Sequence, residues 1–183
     1  MRDKNSTRKL AYVAIFSLLI AVGAWVSVPL AVPFTLQTFF IFLGSYLLGA
    51  KCLLAIAVYI LLGIVGVPVF AGMQAGVGVL LSQTGGYMLG WAFIPLTVCV
   101  FNRVFGRKTW AYVGAMSLGL LLCYALGTVW FAIVYTRNVG AVGVGAALLW
   151  CVVPFLVPDL AKMAAAIFLG RKLEKTAFGR KDG

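Results

Sequence analysis

The chain has 183 residues, 63% of them hydrophobic and only 10% charged, with a mean hydropathy of +1.07 and a formal net charge of +11. Such a composition excludes a soluble globular enzyme and leaves one integral-membrane domain over 1–183, with no room for a second soluble domain. The basic residues flank apolar runs, so the charge suits anionic lipid headgroups in the cell membrane and gives no reason to expect a nucleic-acid partner.

The chain opens on Arg2, Lys4, Arg8 and Lys9, and then carries no charge from Leu10 to Ala50. A hydrocarbon core of about 30 Å takes roughly 20 helical residues to cross, and backbone amides that meet no water must close their hydrogen bonds internally. These 41 residues are therefore two helices, over 10–28 and 36–49, divided at Pro29 and Pro33. The basic start resembles a signal peptide without a clear cleavage site, so the first helix is expected to be retained. The uncharged run from Cys52 to Asn102 holds two more, over 51–66 and 86–105, because clustered glycine between them ends helices. Helices 2 and 3 are short, near 16 residues and about 24 Å. Helix 5 is expected over 110–135 and helix 6 over 144–170, with tails over 1–9 and 171–183.

Six spans put both termini on one side. Arg2, Lys4, Arg8, Lys9, Lys51, Arg103, Arg107, Lys108, Arg171, Lys172, Lys175, Arg180 and Lys181 all fall there, thirteen of the fifteen basic residues, whereas the other side carries Arg137 alone. By the positive-inside rule that side is cytoplasmic. The glycosylation acceptor Asn5-Ser6-Thr7 would then be inert. The cysteines Cys52, Cys99, Cys123 and Cys151 stand singly in apolar segments, with neither disulfide nor zinc spacing.

The chain lacks histidine, and of its four acids Asp3, Glu174 and Asp182 lie in the tails. Histidine triads, histidine metal sites and paired-carboxylate relays are thereby excluded, and no cofactor is implied. No G-x-x-x-x-G-K-[ST] loop occurs, so ATP hydrolysis by that route would need another subunit. Asp159 is the one carboxylate in the membrane domain, and Lys162 follows three positions later on the same helix face. Charges at such depth are costly and turn toward a cavity or a partner. Two readings stay open: a self-neutralising structural pair, or a ligand site in which Lys162 donates to an anion and Asp159 accepts from N-H groups. Pro154 and Pro158, each removing an intrahelical hydrogen bond at this depth, favour the second.

Eight of the 21 glycines fall between Gly63 and Gly90. Glycine permits the irregular backbone of a re-entrant or lid segment, and equally the close packing of small-residue helix faces. Gln74, Thr84 and Tyr87 are the hydrogen-bonding side chains of this stretch, and Thr35 and Gln37 those of the segment leading into helix 2. The five tryptophans read as interfacial or core residues.

Four ordered motifs, Val32-Pro33-Phe34-Thr35-Leu36-Gln37-Thr38-Phe39, Gly66-Val67-Pro68-Val69-Phe70-Ala71-Gly72, Thr84-Gly85-Gly86-Tyr87 and Pro158-Asp159-Leu160-Ala161-Lys162, together resemble the BioY family, the biotin-specific S components of energy-coupling factor (ECF) transporters. The resemblance covers about Arg8 to Lys172. It implies an all-α membrane protein of six transmembrane helices that binds biotin near its external face, under loops 1 and 3. It also implies partnership with a transmembrane coupling protein and two ATPase subunits. The family's helix-6 acid and lysine match Asp159 and Lys162. The expected site is then Asp159, Lys162, Gln74, Thr84, Tyr87, Thr35 and Gln37. Biotin has two ureido N-H donors, one carbonyl and a tail carboxylate, which suits one acceptor, one cation and several neutral polar groups.

The chain departs from the family pattern twice. Ser82-Gln83 precede Thr84 where members commonly have Gly-Pro, and Ala14 is followed four positions later by Leu18 where S components often carry a second alanine. A coupling-protein docking face is left to Ala14, Ser17 and Ala21. Alternatives to an S component for biotin are a solitary biotin facilitator, an S component for another vitamin, a non-transporting assembly subunit, and a membrane enzyme using Asp159 as base or nucleophile.

Overall fold

The computed structural model describes residues 4–30 and 32–176. The expected tail charges Arg2, Arg180 and Lys181 lie outside the described residues. Five helical stretches are long and apolar enough to cross a membrane: Thr7–Trp25, Gln37–Ile64, Gly85–Phe105, Thr109–Asn138 and Val144–Lys175.

Helix α1 (Lys4–Trp25) stops three residues short of the expected 28. Ser27–Val28 (β1) instead pairs antiparallel with Phe34–Thr35 (β2), Ser27 opposite Thr35 and Val28 opposite Phe34. The cause is Pro29, whose ring disfavours helical geometry at the residue before it and leaves Val28 extended.

Helix α2 (Gln37–Leu48) ends at Gly49, whose φ of 58° and ψ of −131° lie outside helical space, and a 3-10 turn over Gly49–Lys51 leads into α3 (Cys52–Ile64). The 28-residue stretch therefore doubles back on itself. Gln37 Nε2 donates to the Tyr59 hydroxyl at 2.7 Å, whereas 22 residues of straight helix would part them by about 33 Å.

From Val65 the backbone is irregular, with positive φ at Gly66, Gly72, Met73 and Gly76 and a 3-10 turn over Ala71–Met73. Trp25 Nε1 ties the segment to the end of α1 by donating to the Pro68 carbonyl at 3.1 Å. Short helices α4 (Val77–Leu81) and α5 (Gly85–Gly90) follow, then α6 (Phe93–Phe105). The helix expected over 86–105 is the Gly85–Phe105 stretch, interrupted at Trp91 and Ala92 between α5 and α6. Pro95 in the first turn of α6 has no N-H to continue the ladder from α5.

Helix α7 (Thr109–Asn138) is unbroken for 30 residues. Beyond it α8 (Val144–Cys151) and α9 (Val153–Thr176) replace the expected continuous helix over 144–170. Pro154 cannot donate to a preceding carbonyl, and the chain leaves helical geometry at Val152, with φ −123° and ψ −53°. α9 then runs on to Thr176, into the segment expected as a tail.

The bundle packs α1 against α2 and α3, α2 against α9 and α6, and α7 against α5 and α6. The buried core includes Ile20, Ile41, Phe42, Tyr59, Ile94, Val98, Met116 and Phe131. Exposed apolar side chains cover the outer faces, as at Ile15, Leu18 and Val22 of α1 and Leu121 and Val129 of α7. In hydrocarbon such exposure carries no hydrophobic cost, so packing and polar pairing must hold the helices together.

Candidate binding site

Residues of the β1–β2 hairpin, the 70–74 segment and helices α2, α3, α5, α7 and α9 line a cavity of about 540 Å³, within the roughly 300–1,000 Å³ typical of small-molecule sites. Arg8, Lys9, Lys51, Arg103 and Arg107 gather around a separate cavity, lined by α1, by α6 and by the end of α2 opposite to Gln37 and Thr38. All seven residues expected to form a site line the first cavity, although they come from four separate stretches of the chain.

Its floor is a closed polar network on α9 and α2. Asp159 and Lys162, 3% and 8% exposed, form an ion pair at 2.9 Å through Asp159 Oδ1. The Thr38 hydroxyl donates to the same oxygen at 2.9 Å and accepts from Lys162 Nζ at 3.0 Å. Lys162 also donates to the Thr35 carbonyl at 2.7 Å, and its nitrogen stands 4.0 Å from the centroid of the Phe34 ring. Tyr124 on α7 donates to Asp159 Oδ2 at 2.7 Å.

Donor and acceptor counts then separate the two charged residues. An ammonium has three N-H donors, and Lys162 spends all three on Thr35, Thr38 and Asp159. A carboxylate has about four acceptor sites, of which Lys162, Thr38 and Tyr124 fill three. The open position is on Asp159 Oδ2, beside the cavity. The pair is therefore both self-neutralising and part of the cavity wall, and the two readings of it are not exclusive. In this arrangement all three donors of Lys162 are engaged within the wall.

The neutral polar residues divide similarly. Thr35 Oγ1 donates to Gln37 Oε1 at 3.1 Å, and with its amide held by Tyr59 the Gln37 side chain braces the wall. Tyr87 shares a 3.0 Å hydrogen bond with Thr128 of α7, and Thr84 shares one of 3.1 Å with Ser82. Gln74 is exposed at the rim. Phe70, Trp91 and Phe155 supply apolar wall.

Thr38 and Tyr124 are the residues that sequence reasoning missed. Thr38 has a legible signal, since it is a hydroxyl residue beside Gln37 in the first turn of the helix expected from position 36. Tyr124 has none, being one tyrosine in a long apolar helix whose partner is 35 residues away.

Of the docking face expected on α1, two residues are covered within the chain. Ser17 and Ala21 are 1% and 4% exposed and face inward, with Ser17 Oγ donating to the Val13 and Ala55 carbonyls at 2.9 and 3.0 Å. Small residues there let α3 approach closely. Of the three, Ala14 alone is exposed, on a face it shares with Leu10 and Leu18.

A sequence model of the BioY family matches residues 1–178. The chain is 40% identical over 171 residues to the biotin transporter BioY of Thermotoga maritima, covering 92% of this chain and 96% of that one. It is 37% identical over 169 residues to the probable biotin transporter BioY of Pyrococcus horikoshii, covering 91% and 96%. The fold matches a crystal structure of the S-component for biotin from an ECF-type ABC transporter with a TM-score of 0.83 at 22% identity, over 96% of this chain and 95% of that one.

Proposed function

The chain belongs to the BioY family, and we propose that it captures biotin in the 540 Å³ cavity and serves as the substrate-binding subunit of a vitamin transporter. The observation that carries the site is the open acceptor on Asp159 Oδ2, in a wall whose lysine has no donor left to offer. It suits a ureido N-H, a donor whose partner must lie in plane and at close range. Thr38, Lys162 and Tyr124 hold the carboxylate in position, so that it need not reorganise when the ligand arrives. Thr35, Gln37, Thr84, Tyr87 and Gln74 complete the wall and rim, and the aromatic residues cover the bicyclic ring.

Six membrane crossings with both termini in the cytoplasm follow in this reading. Support comes from the reversal between α2 and α3, which makes two crossings of the Gln37–Ile64 stretch. The gathering of Arg8, Lys9, Lys51, Arg103 and Arg107 at one cavity supports a cytoplasmic end, and in this reading the biotin cavity opens toward the outside. There the irregular backbone of 65–76 and the β1–β2 hairpin, loops 3 and 1, would cover it.

The sequence has no phosphate-binding loop, so a coupling protein and two ATPase subunits would supply the energy. With Ser17 and Ala21 covered, the exposed α1 face around Ala14 is left for docking. Cells making this chain alone should then take up biotin poorly. Uptake by such cells that survives ATP depletion would favour a solitary facilitator.

Calorimetric titration of the purified protein with biotin, thiamine and riboflavin tests the ligand. Heat of binding is expected for biotin alone. Saturable binding of either other vitamin in preference to biotin would overturn the assignment.

A further inference from the structure

The charge inventory of the cavity bears on which end of the ligand is read. Among the described residues, Asp159 and Lys162 are the charged side chains in its wall, and they neutralise one another at its floor. Lys162 has no donor remaining for a second anion, and the Phe34 ring covers it on a further side. The rim is formed by neutral groups, with Gln74, Ser82, Gln83, Thr84 and Asn138 supplying amides and hydroxyls. Arg137, at the end of α7, is exposed and lies outside the wall although its neighbour Asn138 belongs to it.

From this distribution we infer that the tail carboxylate of the ligand meets no cationic partner, and that the site accepts biotin derivatives whose tail ends in a neutral amide. This inference rests on the biotin reading above. With an N-H of the ring on Asp159 at the floor, the valeryl chain extends toward the rim, where neutral donors and solvent serve a carboxylate and an amide nearly alike. Amides and hydroxyls of the kind present offer both donors and acceptors. The substrate class is thus set by the ureido ring, and a carboxamide or an amide-linked conjugate small enough for the rim belongs to it.

Calorimetric titration with biotin and with biotin primary amide, on the full chain in detergent and on its Arg137→Gln variant, tests this. Both ligands are expected to bind with dissociation constants within about tenfold of each other, and Arg137→Gln is expected to leave both unchanged. Removing one member of a desolvated charge pair costs about thirtyfold or more in affinity. A loss beyond tenfold for the amide would therefore overturn the inference. So would a variant that weakens biotin selectively, since it would identify Arg137 as the partner of the carboxylate. If the parent chain fails to bind biotin at all, the proposed function itself falls, and that result is read before the amide is added.

Discussion

In the proposed site recognition turns on Asp159, and its value lies in what surrounds it. Three donors orient the carboxylate and leave one acceptor position open. Asp159→Asn keeps the shape but converts one oxygen to a donor and leaves Lys162 without its counterion. Biotin affinity should fall by about 1.5–3 kcal/mol, the worth of a hydrogen bond to a charged group, measured by calorimetry. Lys162→Met should act mainly on stability, because it strands a buried carboxylate, at a cost of about 3–5 kcal/mol. A depressed thermal midpoint without added ligand would register it. Tyr124→Phe removes one donor from Asp159 Oδ2 and should weaken binding less than Asp159→Asn. Equal affinity in both variants and the parent would remove Asp159 from the site.

Between elements, the contact of α5 with α7 controls the cavity wall. Gly127 of α7 faces the Tyr87 ring, and Gly86 of α5 faces Trp130. A Cβ at position 127 would overlap the Tyr87 ring, so the glycine sets how closely the two helices approach. Gly127→Ala should push α5 outward, separate Tyr87 from Thr128 and cost about 1–3 kcal/mol, the usual range for overpacking. Loss of biotin affinity together with a lowered thermal midpoint is expected, and an unchanged thermal midpoint would show that α5 gives way freely. The break between α8 and α9 also serves the site, since it sets the start of the helix that carries Asp159 and Lys162.

For the molecule as a whole, the proposed orientation rests on the separation of the basic cavity from the polar one. A reporter fused after Gly183 should be active only in the cytoplasm, and an external signal there would reverse the topology. Ligand binding should also stabilise the fold as a unit. At biotin concentrations a hundredfold above the dissociation constant, linkage supplies about 2.7 kcal/mol. A rise in the thermal midpoint with biotin, absent with thiamine, measures it.

Charge-free runs and the prolines and glycines that interrupt them were enough to place the apolar helices, because a bilayer penalises charge and unpaired backbone so heavily that both leave a mark in one dimension. The same penalty singled out Asp159 and Lys162 as residues requiring a cavity or a partner. The end of helix 2 at position 49 and the hydrogen bond lost at Pro154 were also legible, but not that Val28 would enter a strand pair or that α9 would restart at Val153. Which side of α1 faces inward was illegible, since Ser17 and Ala21 have the spacing of a docking face whether α3 or another protein covers them. Only the tertiary structure brought Thr38 and Tyr124 to Asp159, from 121 and 35 residues away. Those contacts decided that the lysine is spent and the carboxylate retains an acceptor, because hydrogen-bond capacity is consumed by neighbours in space, and a chain's order does not record them.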